Sequence, residues 1–214
     1  MKPVLIIRTG RAPDSIRARH GDFPHWFRIS AQLALPKLRV VDVAAGESLP
    51  PPQEVAGAII TGSAAMVTER AAWSEHALGG RVDYLPGGRE IGTVPIEVLA
   101  QAKQDALAAR LPASFRAHTT HEQSVLEAPA GAVVLAQSVR DPHQLLRYGK
   151  HAVSTQFHPE FNADVMRAYI HRKRADMQRE GFDPRHTFKQ VAATPIARRL
   201  LSHFARYHGL AAAR

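Results

Sequence analysis

The 214-residue sequence contains no cysteine and no apolar segment long enough to cross a membrane. Without cysteine, these residues cannot form a disulfide, a thiolate zinc site or a cysteine nucleophile. The short apolar run near the start ends at Arg8, so it does not resemble the core of a signal peptide. We therefore expect a cytoplasmic protein that has no contact with a membrane.

The composition is that of an ordinary globular chain with an excess of positive charge. Hydrophobic residues make up 45% and charged residues 22% of the sequence, which is long enough to bury a substantial core. The net charge of +9 is concentrated in residues 171–180 and 197–208, which have the pattern of solvated helix faces. No basic motif interleaved with aromatic residues is present, so the sequence does not favour nucleic-acid binding.

Three apolar segments in the first part of the chain predict a parallel sheet. They are VLIIRTG (4–10), LRVVDVAAG (38–46) and AGAIITGSAAM (56–66). Nearly continuous apolar runs that end in glycine turns are typical of strands buried on both faces. Because connecting segments separate them, the sequence predicts an α/β fold.

The sequence changes character after Gly79. Residues 79–98 alternate turn residues with β-formers and predict short antiparallel strands, whereas residues 99–110 have high helix propensity. Residues 115–160 predict further short strands and loops. From Asn162 onward the pattern is helical, with Asn162 or Asp164 as a cap and Pro195 opening a last helix.

The segment STQFHPEF (154–161) contains a candidate acid–base pair. In extended backbone, residues two apart point the same way, and Pro159 between His158 and Glu160 disfavours a helix. Glu160 can therefore hold the His158 imidazole in one tautomer, as a catalytic triad requires. The alternative interpretations of this segment are a surface loop or a chance pair among the 12 histidines.

Four segments, taken in order, resemble the class I glutamine amidotransferases, in particular the stand-alone group similar to the glutaminase domain of GMP synthase. They are AIITGSAAMV (58–67), ALGGRVDYLPGGREIGTVPIEV (77–98), THEQSVLEAPAGAVVLA (120–136) and TQFHPEF (155–161). The resemblance implies a flavodoxin-like α/β fold, with a mostly parallel sheet flanked by helices, a small antiparallel section and a helical C-terminal tail. It implies an amidotransferase-like domain at 1–161, with residues 162–214 as a helical extension packing on the same domain.

By position in the matching motifs, the resemblance assigns three pairs of site residues. They are the catalytic pair His158 and Glu160, the oxyanion loop Gly62 and Ser63, and the substrate-binding pair Thr120 and His121. The family hydrolyses glutamine to glutamate and ammonia through a Cys-His-Glu triad, without metal or cofactor. The resemblance therefore implies glutamine as ligand and leaves open both an ammonia-accepting synthetase as partner and an oligomer.

The sequence departs from the family where the nucleophile should be. Trp73-Ser74-Glu75 resembles the family sequence before the cysteine elbow, and His76 onward resembles the sequence after it. A strand, an elbow and parts of two helices, about 25 residues by average element lengths, are missing between 75 and 76. We therefore expect no glutaminase activity, with a non-catalytic binding or regulatory module as the alternative function. A sequence that omits residues of the natural protein would look the same.

Three further hypotheses concern residues near the retained motifs. Ser63 and Ser154 are the nearest hydroxyls, but neither lies in a Gly-x-Ser-x-Gly elbow that would make it a nucleophile. The spacing of His118 and His121 does not match a helical zinc pair and lacks a third ligand, so we predict no metal site. Tyr169 belongs either to the core face of a helix or to a lid over the cleft.

Overall fold

A computed structural model describes residues 2–63 and 80–211 of the chain. The chain divides into two compact units, which we treat separately: unit 1 comprises residues 1–76 and 201–214, and unit 2 comprises residues 77–200. The segment at 71–79, where the missing elbow was predicted, lies outside the described residues. The domain boundary at 161/162 stays a prediction.

Unit 1 contains the predicted parallel sheet. Its strands are β1 (Val4–Arg8), β2 (Leu38–Asp42) and β3 (Gly57–Ile60), in the order β2-β1-β3. The apolar run of β1 takes the central position, and Val4, Leu5 and Ile6 are buried. Among the described strands, β3 pairs with β1 alone. The expected α/β class is confirmed.

Two helices connect β1 to β2. They are α1 (Asp14–His20) and α2 (Phe23–Ala31). Asp22 caps α2, and its carboxylate accepts hydrogen bonds from the N–H groups of Phe23 and Ala12, both at 2.9 Å. The helix buries Phe23, Trp26 and Phe27, each contributing about 1.5–3 kcal/mol to stability by leaving water.

Unit 2 is built on antiparallel strands, as predicted after Gly79. Its strands are β4 (Arg81–Tyr84), β5 (Glu90–Val98), β6 (Ser114–His121), β7 (Gln123–Glu127), β8 (Val133–Gln137), β9 (Leu145–Arg147) and β10 (Val153–Thr155). A five-stranded sheet has the order β10-β9-β8-β5-β6, and β4 pairs with β7. Its core includes an edge-on contact between Phe115 and Phe157, with ring centroids 5.7 Å apart.

The helix predicted for residues 99–110 is wrong. The structure has a short 3-10 helix at Ala100–Gln104 followed by turns. The Asp105 carboxylate accepts hydrogen bonds from the N–H groups of Leu107 and Ala108. Its other bonds come from Arg147, at 2.7 and 3.0 Å. These contacts give the backbone a turn in place of a helix, and tertiary structure overrides propensity.

Three helices follow the strands, as predicted. They are α3 (Ala163–Arg179), α4 (Pro184–Lys189) and α5 (Pro195–Tyr207). The predicted cap is confirmed because the Asn162 side chain accepts a hydrogen bond from the N–H of Val165 at 2.9 Å. Pro195 opens α5, and the boundary between the units falls within this helix. Within residues 2–63 and 80–211, no helix is both long and apolar enough to traverse a bilayer.

Candidate functional site

The predicted acid–base pair is formed in unit 2. His158 and Glu160 lie in the loop between β10 and α3, and Nδ1 of the imidazole is 2.8 Å from Oε1 of the carboxylate. With Nδ1–H donating to Glu160, Nε2 carries the lone pair that a general base uses. Glu160 is 2% exposed, and the His158 side chain is 19% exposed. The carboxylate is therefore shielded while the imidazole keeps some access to solvent.

The His158 imidazole is also held by aromatic stacking. It lies over the Phe161 ring with centroids 4.1 Å apart and an interplanar angle of 14°. Phe161 in turn stacks on Tyr169 of α3 at 5.0 Å. Tyr169 is buried together with its helical neighbours Val165, Met166 and Ile170. This burial favours core packing of α3 and leaves little basis for the lid hypothesis.

The first turn of α5 contacts the same loop. The Arg198 guanidinium donates a 3.2 Å hydrogen bond to the backbone carbonyl of Glu160. Burial lowers the pKa of Arg198, and the nearby Glu160 carboxylate opposes that change. This contact between α5 and the Glu160 backbone was not evident from the sequence, because 37 residues separate the two positions.

His118, the other half of the HTTH spacing, is a buried structural residue. Its Nδ1 lies 3.1 Å from Oγ1 of Thr93, and its Nε2 has no hydrogen-bond partner in the described part of the chain. Burial, reinforced by the positive charge of a protonated His158, lowers the pKa of His118 to about 4. Throughout residues 2–63 and 80–211, no group of three or more histidine or carboxylate side chains is arranged so that it could hold a metal ion.

The predicted substrate-binding pair, Thr120 and His121, ends strand β6. Thr120 is half-buried and pairs with Ile91 in the β5–β6 ladder, where His121 pairs with Glu90. Successive strand residues point to opposite faces. The His121 imidazole lies among buried carboxylates: Nε2 is 3.0 Å from Asp141 and 3.8 Å from Glu90. His121 is therefore buried against carboxylates of unit 2 at the end of β6.

Two buried acids that the sequence analysis did not identify complete this cluster. Glu90 accepts hydrogen bonds from Ser138 Oγ and Gln144 Nε2, both at 2.6 Å. Burial raises the pKa of Glu90, and the nearby Asp141 charge adds to the effect. Burial alone would also raise the pKa of Asp141, but His121 and a 2.6 Å hydrogen bond from Ser124 lower it. We use the name buried polar cluster for six residues: Glu90, His121, Ser124, Ser138, Asp141 and Gln144.

The predicted oxyanion loop lies in unit 1, at the end of β3. Thr9 Oγ1, at the end of β1, donates to the carbonyl of Thr61 at 2.8 Å and contacts the Gly62 carbonyl at 3.2 Å. A side chain at Gly10 would come within 2.8 Å of Ser63 Oγ, so Gly10 permits a close approach of the two strand ends. Gly10 was not predicted, although its place after an apolar strand was a usable signal.

The structure thus forms the His158–Glu160 pair and places His121 Nε2 close to two buried carboxylates in unit 2. Gly62 and Ser63 are held against the end of β1 in unit 1. Ser154, the other candidate hydroxyl, lies in β10 with Oγ 2.9 Å from the Tyr148 hydroxyl. Because it lies within a strand, it has no strand-to-helix elbow.

Comparison with known proteins finds a family model that matches part of the chain. Residues 75–176 match the family model for glutamine amidotransferase class-I. Gamma-glutamyl peptidase 5 of Arabidopsis thaliana is 29% identical over 96 residues, which are 44% of this chain and 38% of that protein. The chain therefore matches well under half the length of that curated relative.

Solved structures share the fold. A glutamine amidotransferase from Thermotoga maritima has a TM-score of 0.72 at 17% identity, covering 97% of this chain and 98% of its own. A glutamine amidotransferase from Methylobacillus flagellatus has a TM-score of 0.65 at 16% identity, covering 100% of this chain and 97% of its own. A protein described as a GMP synthase component from Thermoplasma acidophilum has a TM-score of 0.61 at 14% identity, covering 98% of this chain and 94% of its own. The fold implied by the sequence resemblance is confirmed.

Proposed function

We propose that this chain, whose fold and whose residues 75–176 belong to the class I glutamine amidotransferases, keeps the family's acid–base pair but does not hydrolyse glutamine. The observation that carries the proposal is a contrast within one chain. His158 and Glu160 are 2.8 Å apart, as a triad requires, yet the 214 residues contain no cysteine.

The chemistry explains why the pair alone is insufficient. Amide hydrolysis by this route needs a thiolate to attack the γ-carbonyl of glutamine and form a thioester, releasing ammonia. The imidazole takes the thiol proton and returns it to the leaving ammonia, and water then resolves the thioester to glutamate. His158 retains the geometry for both proton transfers, but this chain supplies no sulfur atom for it to deprotonate.

Substitution by a serine is not supported. A hydroxyl nucleophile needs a neighbouring base and an exposed turn between a strand and a helix. Ser154 lies within β10 beside Tyr148, and Ser63 lies beside Gly10 in unit 1.

The proposal is tested by measuring glutamate release from glutamine with the purified 214-residue protein, after its intact mass has been checked. We expect release equal to that of the His158→Ala variant. Release that disappears in His158→Ala would show that the protein has a working nucleophile and would overturn the proposal. A mass larger than the sequence predicts would show that the natural chain contains residues that this sequence lacks.

The protein should also be tested for cleavage of a second class of substrate, the γ-glutamyl peptides. One relative is named a gamma-glutamyl peptidase, and a γ-glutamyl peptide offers the same carbonyl with a larger leaving group. Because the attack requires the same nucleophile, we expect no cleavage of a γ-glutamyl dipeptide either. Cleavage of the dipeptide alone would assign the protein a peptidase function.

The second candidate function is a binding or regulatory module. The observation that favours it is the buried polar cluster, which is present at the end of β6 around His121 although the chain has no cysteine nucleophile. Since the glutamine-contacting elbow is absent, we expect weak glutamine binding by calorimetry, and low-millimolar or tighter affinity would contradict a broken pocket. An ammonia-accepting synthetase is the class of partner that such a module would regulate.

A further inference from the structure

A cavity of about 170 Å³ lies in unit 2, between β5, the loop after β8 and the loop after α3. Its walls include Val94, Pro95 and Phe182, Val139 is fully exposed at its rim, and its polar groups include Glu90 and Arg140. None of the residues assigned to the catalytic pair, the oxyanion loop or the substrate-binding pair lines it. The volume lies below the roughly 300–1,000 Å³ of drug-sized ligand sites, so it fits a small molecule.

Arg140 is fixed beside this cavity by two contacts. Its Cζ lies 5.3 Å from the centroid of the Phe182 ring, a cation–π arrangement, and its Nη1 donates to the carbonyl of Gly87. A guanidinium has five N–H donors, and a single donor is used in these contacts. The side chain is exposed, so its remaining N–H groups can receive a carboxylate in the paired geometry that arginine favours.

Glu90, the buried polar group of the cavity, is already occupied by contacts within the protein. Both oxygens of Glu90 already accept hydrogen bonds, from Ser138 and Gln144, and burial raises the pKa of this carboxyl. The other arginine of the cavity, Arg89, is paired with Glu122 and Glu180. Arg140 is therefore the charged group of the cavity that is available to a ligand.

We propose that this cavity binds a small organic carboxylate, whose apolar part contacts Val94 and Phe182 and whose carboxylate is held by Arg140. The site is distinct from the His158–Glu160 pair and does not depend on whether glutamine is hydrolysed. Glu90 connects it to the predicted substrate pair, because Glu90 Oε2 is 3.8 Å from Nε2 of His121. A ligand that contacts Glu90 is therefore separated from His121, at the end of β6, only by the Glu90 side chain.

The test is an NMR titration of the 214-residue protein with 3-phenylpropionate, whose ring and carboxylate match the two parts of the cavity. The probe 3-phenylpropylamine has a similar shape and the opposite charge. Arg140→Gln removes the guanidinium from an exposed position, so the fold should be retained. Arg185→Gln removes an exposed arginine of α4 that does not line the cavity and serves as the matched control.

We expect saturable shifts of the Val94, Ser138 and Phe182 amides with the carboxylate and none with the amine. Arg140→Gln should weaken binding by about tenfold or more, since it removes charge-assisted hydrogen bonds, while Arg185→Gln should not change it. Absence of saturation at concentrations on the order of tens of millimolar would overturn the proposal. Equal binding of the amine, or undiminished binding by Arg140→Gln, would do the same.

Discussion

The backbone N–H of His158 donates a 2.8 Å hydrogen bond to the backbone carbonyl of His118. This bond joins the loop that carries the acid–base pair to strand β6, two residues before Thr120. Tyr169 of α3, which stacks on Phe161 of the loop, and Arg198 of α5 hold the same loop from other elements of unit 2. The position of His158 therefore depends on backbone pairing and aromatic packing within unit 2, and these contacts persist in a chain without cysteine.

The first prediction concerns the tautomer of His158. Glu160→Ala removes the acceptor that selects Nδ1–H, so the neutral imidazole should change from one tautomer to a mixture. Long-range ¹H–¹⁵N NMR of the histidine rings measures this directly. Glu160→Gln is the matched control, because its amide oxygen can still accept. A native protein in which Nε2 carries the proton would show that Glu160 does not orient His158.

The second prediction is a loss of stability in mild acid that depends on His118. The unfolded chain binds a proton at this residue below pH 6.5, whereas the folded protein does not until pH falls to about 4. Stability should therefore decrease as pH falls through this window, by up to about 3 kcal/mol from this residue. Urea unfolding at several pH values measures the decrease.

The matched variants for this prediction are His118→Gln and His171→Gln. Residue 118 is fully buried, whereas His171 is exposed on α3. His118→Gln should flatten the pH dependence between pH 6.5 and 4, although it lowers stability at pH 7. His171→Gln should leave the native slope unchanged. Equal slopes in all three proteins would mean that folding does not lower the pKa of His118.

The fold could be predicted where the local sequence determines structure. The apolar runs of β1, β2 and β3 and the caps at Asn162 and Pro195 act through neighbouring residues, so each was found where expected. The helix predicted for residues 99–110 is absent, because Asp105 is fixed by Arg147, which is 42 residues away. Helix propensity contains no information about such a contact.

The candidate site could be predicted only in part, for a similar reason. His158 and Glu160 are two residues apart, so their contact follows from the spacing. Glu90 and Asp141 are hydrophilic residues that meet only when β5 and the loop after β8 come together around His121. Nothing in their local sequence indicates that both carboxyls are buried.

The third prediction tests the buried polar cluster through Asp141→Asn. The change replaces a buried carboxylate, which accepts a hydrogen bond from Ser124 and lies 3.0 Å from His121 Nε2, with a neutral amide. Weakening hydrogen bonds to a buried carboxylate in this way costs about 1–3 kcal/mol. Asp164→Asn alters an exposed pair with Arg167 and should cost less than about 1 kcal/mol. Similar costs in urea unfolding would mean that the cluster contributes little to stability.

The last prediction concerns Arg89, which links β5 to the end of α3. Its guanidinium makes two 2.9 Å hydrogen bonds to Glu180 and lies 2.5 Å from Glu122, and its side chain is 3% exposed. Burial alone would lower the pKa of Arg89, but these carboxylates raise it. The guanidinium is therefore stable in this position because it is paired on two sides.

Arg89→Gln should destabilise unit 2 by about 2–3 kcal/mol, less than a fully buried pair because the two glutamates remain partly solvated. Amide hydrogen exchange in the last turn of α3 should become faster, since Glu180 loses its anchor to β5. Arg81→Gln breaks an exposed pair with Glu127 and should cost less than about 1 kcal/mol without affecting α3. If exchange in α3 stays unchanged in Arg89→Gln, then Phe182 and the buried face of α3 hold the helix end without this arginine.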